Sequence, residues 1–198
     1  MIKKILILTD SVANPRPFPS KDSTCLDETY PYLIRRHFPD FKFYQLSVGN
    51  ALSIELFDQA IGYLNHWKPD YVIVHKGFND CRTEAFSDLE KMLIFNCNKF
   101  SSKLLKPYLY SPKLINFRRK TRVSARKFES SLSRFTKIFN SSRIIYVGIS
   151  INHDVYEKIR PGTRRNIVLY NKIIRRMIKN NFLETHDMLL SNNGYTCD

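Results

Sequence analysis

The sequence predicts an α/β fold on a doubly wound, mainly parallel sheet. Short, near-continuous apolar runs of strand length recur along the chain, as expected of strands buried on both faces. Between them lie longer stretches with apolar residues three or four positions apart, the spacing of one helix face. The two patterns alternate, and strand–helix–strand units close most readily as right-handed parallel crossovers.

The first run, "KKILILT" (3–9), reads as a buried strand, and "DETYPYLIRRHF" (27–38) as a helix with Pro31 tolerable in its first turn. "FKFYQLSV" (41–48) is a second strand. "LSIELFDQAIGYLNHW" (52–67) sets Leu52, Leu56, Ala60 and Leu64 on one helical face, closed by Lys68-Pro69. "DYVIVHKG" (70–77) is a third strand. A long helical region then starts near Thr83-Glu84 and continues past Phe100. "RIIYVGIS" (143–150) is a fourth strand, and "TRRNIVLYNKIIRRMIKNNF" (163–182) a strongly amphipathic last helix. No repeat or linker divides the sequence, so a single domain over 1–198 is expected.

Composition narrows the function classes. No apolar run approaches the ~20 residues that cross a bilayer. The basic, then apolar, N-terminus ends in Asp10 with no small-residue cleavage pattern, so a first strand and a cytoplasmic location are expected. Cys25, Cys81, Cys97 and Cys197 form no CxxC pair, which argues against zinc and for reduced, mostly buried thiols. Six glycines, none in a GxGxxG pattern, offer no phosphate loop, and neither cofactor nor metal is expected.

The balance of 32 Lys+Arg against 18 Asp+Glu gives a net charge of +14, a field that favours an anionic partner. Residues 99–137 concentrate it, with twelve Lys/Arg and the single acid Glu129. Two prolines in this stretch suggest an excursion over one face, either a solvated surface or a cover and anion-binding patch.

Ligands of open parallel sheets bind beyond the carboxyl ends of the strands. Asp10-Ser11 follows the first strand, Gly49-Asn50 the second, and Gly77-Phe78-Asn79-Asp80 the third. Acyl transfer needs this inventory: an exposed serine hydroxyl, a backbone N–H where glycine permits close approach, and a side-chain amide to hold the developing oxyanion. Singly, each has a plainer reading: a turn at Gly49, a helix cap at Asn79-Asp80, a local turn at Ser11. Pro15, Pro17 and Pro19 prevent a long helix from starting at Ser11 and favour an extended rim. Arg16 on that rim is either a substrate contact or a solvated loop residue.

The ordered set Asp10-Ser11, Gly49 and Gly77-x-Asn79-Asp80 resembles the SGNH/GDSL hydrolases, with Thr9 in place of the family's first glycine. The resemblance implies a flavodoxin-like three-layer α/β/α fold with a sheet of about five strands. It implies an ester hydrolase in which Ser11 is the nucleophile and Gly49 and Asn79 form the oxyanion hole. Small acyl esters, including O-acetyl groups of a sugar or polysaccharide, are the implied substrates.

The same resemblance implies a general base in an Asp-x-x-His block near the C-terminus. Asp198 stands where that Asp is expected, and the His would fall just beyond it. The other histidines lack the spacing, since Leu183 precedes His186 by three residues and Ser150 precedes His153. His75, at the end of the third strand, reads as a strand-end residue. These 198 residues are therefore expected to hold the nucleophile without its base and to turn over poorly. The competing reading is a basic nucleic-acid- or polyanion-binding protein without catalysis, although no nucleic-acid module or stacking platform is evident.

Overall fold

In a computed structural model of the protein, residues 2–16, 23–96, 107–151 and 154–185 are described. Five parallel strands form one sheet in the order β2-β1-β3-β6-β7: β1 Lys4–Thr9, β2 Lys42–Ser47, β3 Tyr71–His75, β6 Arg143–Val147 and β7 Phe182–Leu183. β4 (Thr83–Glu84) and β5 (Lys120–Thr121) pair antiparallel in a separate ribbon. With the ribbon set aside, the main strands follow the flavodoxin-like 2-1-3-4-5 order.

The helices are α1 Tyr30–His37, α2 Ser53–Gln59, α3 Phe78–Cys81, α4 Asp88–Asn96, α5 Pro112–Arg118, α6 Ala125–Ile138, α7 Asp154–Ile159 and α8 Thr163–Ile178. Alternation along the strands divides the sheet into two faces. Leu6, Leu8, Val72, Val74, Ile144 and Tyr146 join one core with Phe57 of α2, Phe128, Leu132 and Phe135 of α6, and Ile167, Tyr170 and Ile174 of α8. Phe57 stacks on Phe135 at 4.6 Å between centroids, locking α2 to α6. On the opposite face, Ile5, Ile7 and Thr9 are buried, and Tyr30 of α1 meets His75 at 5.5 Å between ring centroids.

Two elements differ from expectation. Thr83-Glu84 begins no helix: the backbone pairs with Lys120 and Thr121 instead, and Glu84 is drawn inward by Arg82, Lys91 and Arg160. The helix follows at Asp88, and Phe100 lies outside the described residues. The last helix stops at Ile178 because Lys179 turns to φ 52°. Phe182-Leu183 then adds the fifth strand, the Gly148 N–H donating to the Leu183 carbonyl at 2.8 Å.

Of the basic segment, residues 125–138 are α6, part of the layer on the sheet. The excursion proper runs from β4 to β5. Its two ends are clamped by the β4–β5 ribbon and by the Val123 N–H, which donates to the Asp80 carbonyl at 3.2 Å. Cys81 is buried and Cys25 exposed, and both are free thiols; Cys97 and Cys197 lie outside the described residues. Among the described residues no helix is long and apolar enough to cross a membrane, and no His/Cys/Asp/Glu group could hold a metal ion.

Candidate active site

Strand register gathers the predicted residues. Thr9 pairs with Ser47 on one side and His75 on the other, so three strands end in one row. Ser11 and Gly49 stand two positions past that row, and Asn79 four positions past it. The chain leaves β1 toward β2 on one side and returns through β3 on the other, which places Ser11 and Asn79 at the reversal of strand order, where such sheets bind ligands.

Each loop has a local cause. After β1, the Asp10 carboxylate accepts the Val12 N–H at 3.1 Å and caps a single 3₁₀ turn, Ser11–Ala13, leaving Ser11 exposed at its first position. Extended backbone at Asn14 ends the turn, and Pro15 follows. Arg16 pairs its backbone with Thr24 across this rim. Gly49 is exposed with open space around its α-carbon, and Asn50 takes φ 55°. After β3, Gly77 at φ 126° turns the chain into α3, a geometry that only glycine adopts readily. Asn79 is nearly buried in the first turn of α3, and Asp80 is fully buried.

The loops are braced by groups that the sequence alone did not single out. The Lys76 ammonium, with no exposed side-chain surface, lies 3.3 Å from Asp10 Oδ2 and ties the first loop to the third. The Lys76 carbonyl accepts the Tyr146 hydroxyl at 3.0 Å. Asp80 accepts the Ser53 N–H at 2.9 Å and the Ser53 hydroxyl at 2.8 Å, fixing the start of α2 against the third loop. Arg122 donates to Asn50 Oδ1 at 3.0 Å, so the excursion reaches the second loop. One signal of Lys76 was present in the sequence: along "YVIVHK" it falls on the same face as the buried Val72 and Val74.

Burial sets the titration of this cluster. The Asp80 carboxyl is pushed up to about 6, chiefly by desolvation, against the opposing hydrogen bonds of Ser53 and the charge of Lys76. Tyr30 is pushed up to about 12 by burial. His75 is pushed below its ordinary value by burial, against the charge of Asp10, and so stays neutral at pH 7.

The raised Asp80 value has a measurable consequence. Its folded value lies above the ordinary 3.8, so between about pH 4 and 6 the folded state holds this proton more tightly than the unfolded chain. The group's stabilising contribution is full below about pH 4 and is lost as pH rises through 6. Relative to Asp80→Asn, wild-type stability is expected to fall by up to about 3 kcal/mol between pH 4 and pH 7. Urea unfolding of both proteins across that range checks this, and parallel profiles would contradict it.

Of the remaining predicted positions, Asp198 lies outside the described residues, as do His153 and His186.

No family model matches the sequence, and no curated protein does. Solved structures are similar at the level of fold. A lipase/acylhydrolase from Enterococcus faecalis aligns over 96% of this chain and 80% of its own, with TM-score 0.61 and 12% identity. The chain has the fold of the GDSL hydrolases. A variant of an acetyl-xylooligosaccharide esterase from Geobacillus Stearmophilus matches this GDSL fold with TM-score 0.58 and 15% identity, covering 96% of this chain and 80% of its own. A lipolytic protein of the G-D-S-L family from Desulfitobacterium hafniense aligns with TM-score 0.54 and 11% identity, over 93% and 77% of the two chains.

Proposed function

We propose that the protein is a serine ester hydrolase of the GDSL type. The observation that carries this reading is the common row: three loops leave it in register, bearing a hydroxyl, an exposed glycine and an amide, in a fold shared with esterases. Ser11 Oγ attacks the ester carbonyl, and its proton passes to a base. The carbonyl oxygen, now negative, is held by the Gly49 N–H, the Asn79 amide and the N–H of Ser11 itself. Collapse of the tetrahedral species expels the alcohol, and water then releases the acyl group from Ser11.

A small acyl group on a sugar or polysaccharide suits the open space around Gly49, and an acetyl-xylooligosaccharide esterase among the similar folds supports that class. The 198 residues contain no histidine three positions after an acid, so the serine is expected to react slowly in this chain.

The test adds Gly-x-His after Asp198 and follows p-nitrophenyl acetate hydrolysis. The tail is expected to raise turnover at least 100-fold, in keeping with the contribution of a triad base, and Ser11→Ala in the tailed protein to abolish the gain. A fluorophosphonate probe should label Ser11 of the tailed protein. Turnover that is indifferent to Ser11→Ala would remove the serine from the mechanism.

A further inference from the structure

Building on the reading of Gly49 and Asn79 as oxyanion donors, we infer that Arg122 is the positioning residue of the oxyanion hole. Through Asn50 it holds the Gly49 N–H at a set place relative to Asn79.

The second loop has little of its own to hold it. The Val48 N–H donates to the Thr9 carbonyl at 3.3 Å, and the Ala51 N–H closes a turn onto the Val48 carbonyl at 3.4 Å. Between them, neither Gly49 nor Asn50 makes a backbone–backbone hydrogen bond to another described residue. Gly49 has open space around it, and Asn50 stands at φ 55°. A residue other than glycine keeps that left-handed conformation only where its surroundings impose it. An N–H that is to meet an oxyanion must be in place before the charge develops.

Arg122 supplies the constraint. It follows β5, and its Nη1 donates both to Asn50 Oδ1 at 3.0 Å and to the Asn50 carbonyl at 3.3 Å. One guanidinium thus grips the side chain and the main chain of the same residue. The Arg122 side chain is itself held: it is only 14% exposed, and its Nε lies 3.6 Å from Asp88 Oδ2. The next residue serves the third loop, since the Val123 N–H donates to the Asp80 carbonyl at 3.2 Å and Val123 is buried. Asn50 directly follows Gly49, and Asp80 directly follows Asn79. Two adjacent residues, Arg122 and Val123, therefore bridge the two donor loops and set their spacing.

Anchoring the excursion does not require the contact with Asn50. Its ends are already joined by the β4–β5 ribbon, and Glu90 of α4 pairs with Arg118 and Lys120. What the Asn50 bonds add is a constraint on the second loop. Because Arg122 acts through Asn50, its loss is expected to lower kcat and spare KM.

Two measurements test this. In the 198-residue protein, the ¹⁵N order parameter of the Gly49 amide is expected to fall from about 0.85 to below about 0.6 in Arg122→Met. In the protein extended by Gly-x-His, Arg122→Met is expected to lower kcat for p-nitrophenyl acetate about tenfold, with KM within about twofold. That is less than the roughly 10²–10³ lost with a whole donor. Asn50→Gly removes the Oδ1 contact from the exposed side, accepts φ 55° without strain, and serves where Arg122→Met fails to fold. It is expected to lower kcat similarly, and the double variant to be no slower than the slower single one. Losses that multiply in the double variant, or a Gly49 amide that stays ordered in Arg122→Met, overturn the inference. So does an unchanged kcat in Arg122→Met while Asn79→Ala lowers it, a result that leaves the oxyanion reading standing. If Asn79→Ala leaves kcat unchanged as well, the oxyanion reading falls and the inference falls with it.

Discussion

Lys76→Met is expected to cost about 3–5 kcal/mol of unfolding free energy, the loss seen when one member of a buried ion pair is removed. The reason lies in what remains. Asp10 is almost entirely shielded from solvent, its Oδ2 faces the Lys76 ammonium at 3.3 Å, and without that cation a carboxylate stays desolvated and unpaired. Asp10 also caps the turn that starts at Ser11, so its displacement would move the serine as well as weaken the fold. The double variant Asp10→Asn/Lys76→Met should recover a large part of the loss, because neither residue then leaves a naked charge. Urea unfolding of the two single variants and the double closes the cycle. Additive losses would mean that the pair is not coupled.

Glu84→Gln is expected to be of similar size, about 3–5 kcal/mol, and to act first on the excursion. Glu84 is nearly buried and receives Arg160 at 2.6 Å, Arg82 at 2.9 Å and Lys91 at 3.6 Å. Arg160 is itself nearly buried, donates to the Thr83 carbonyl at 3.2 Å and lies 5.4 Å from the Tyr110 ring centroid. A glutamine retains some hydrogen bonding but leaves Arg160 and Arg82 without their anion, while Lys91 keeps Asp88 at 3.1 Å. Because Glu84 also stands in the β4–β5 ribbon, the damage should appear as faster proteolytic cleavage within 85–122, before global unfolding. Uniform cleavage kinetics in the two proteins would place the effect elsewhere.

These two positions show where reading the sequence stops. The apolar runs of β1, β3 and β6 and the helical face of α8 are local signals, carried by residues two to four apart, and the sequence reads them within a few positions. The same signals put Ser11, Gly49 and Asn79 immediately after strands. Where a long-range partner decides, the local pattern misleads. Thr83-Glu84 looks like a helix start until Lys120-Thr121 pairs with it, and "KNNF" looks like a helix end until Phe182 finds Tyr146 in β6. The outward apolar face of α4 has the spacing of an ordinary buried helix. Periodicity gives the existence of a face and not its direction.

By itself, the sequence determined the alternation of strand and helix, the residues displayed at the strand ends, and the surplus of cations, since each depends on neighbours or on composition alone. Only the tertiary structure decided that Ser11 and Gly49 leave one register row, that Lys76 and Ser53 brace the loops around them, and that the excursion is rooted at Asp80 with Leu89 and Leu93 outward. Those facts rest on pairs such as Asp10 and Lys76, 66 residues apart, or Ser53 and Asp80, 27 apart. Burial strengthens such contacts and makes each unpaired member costly, and burial exists only once the chain has closed on itself.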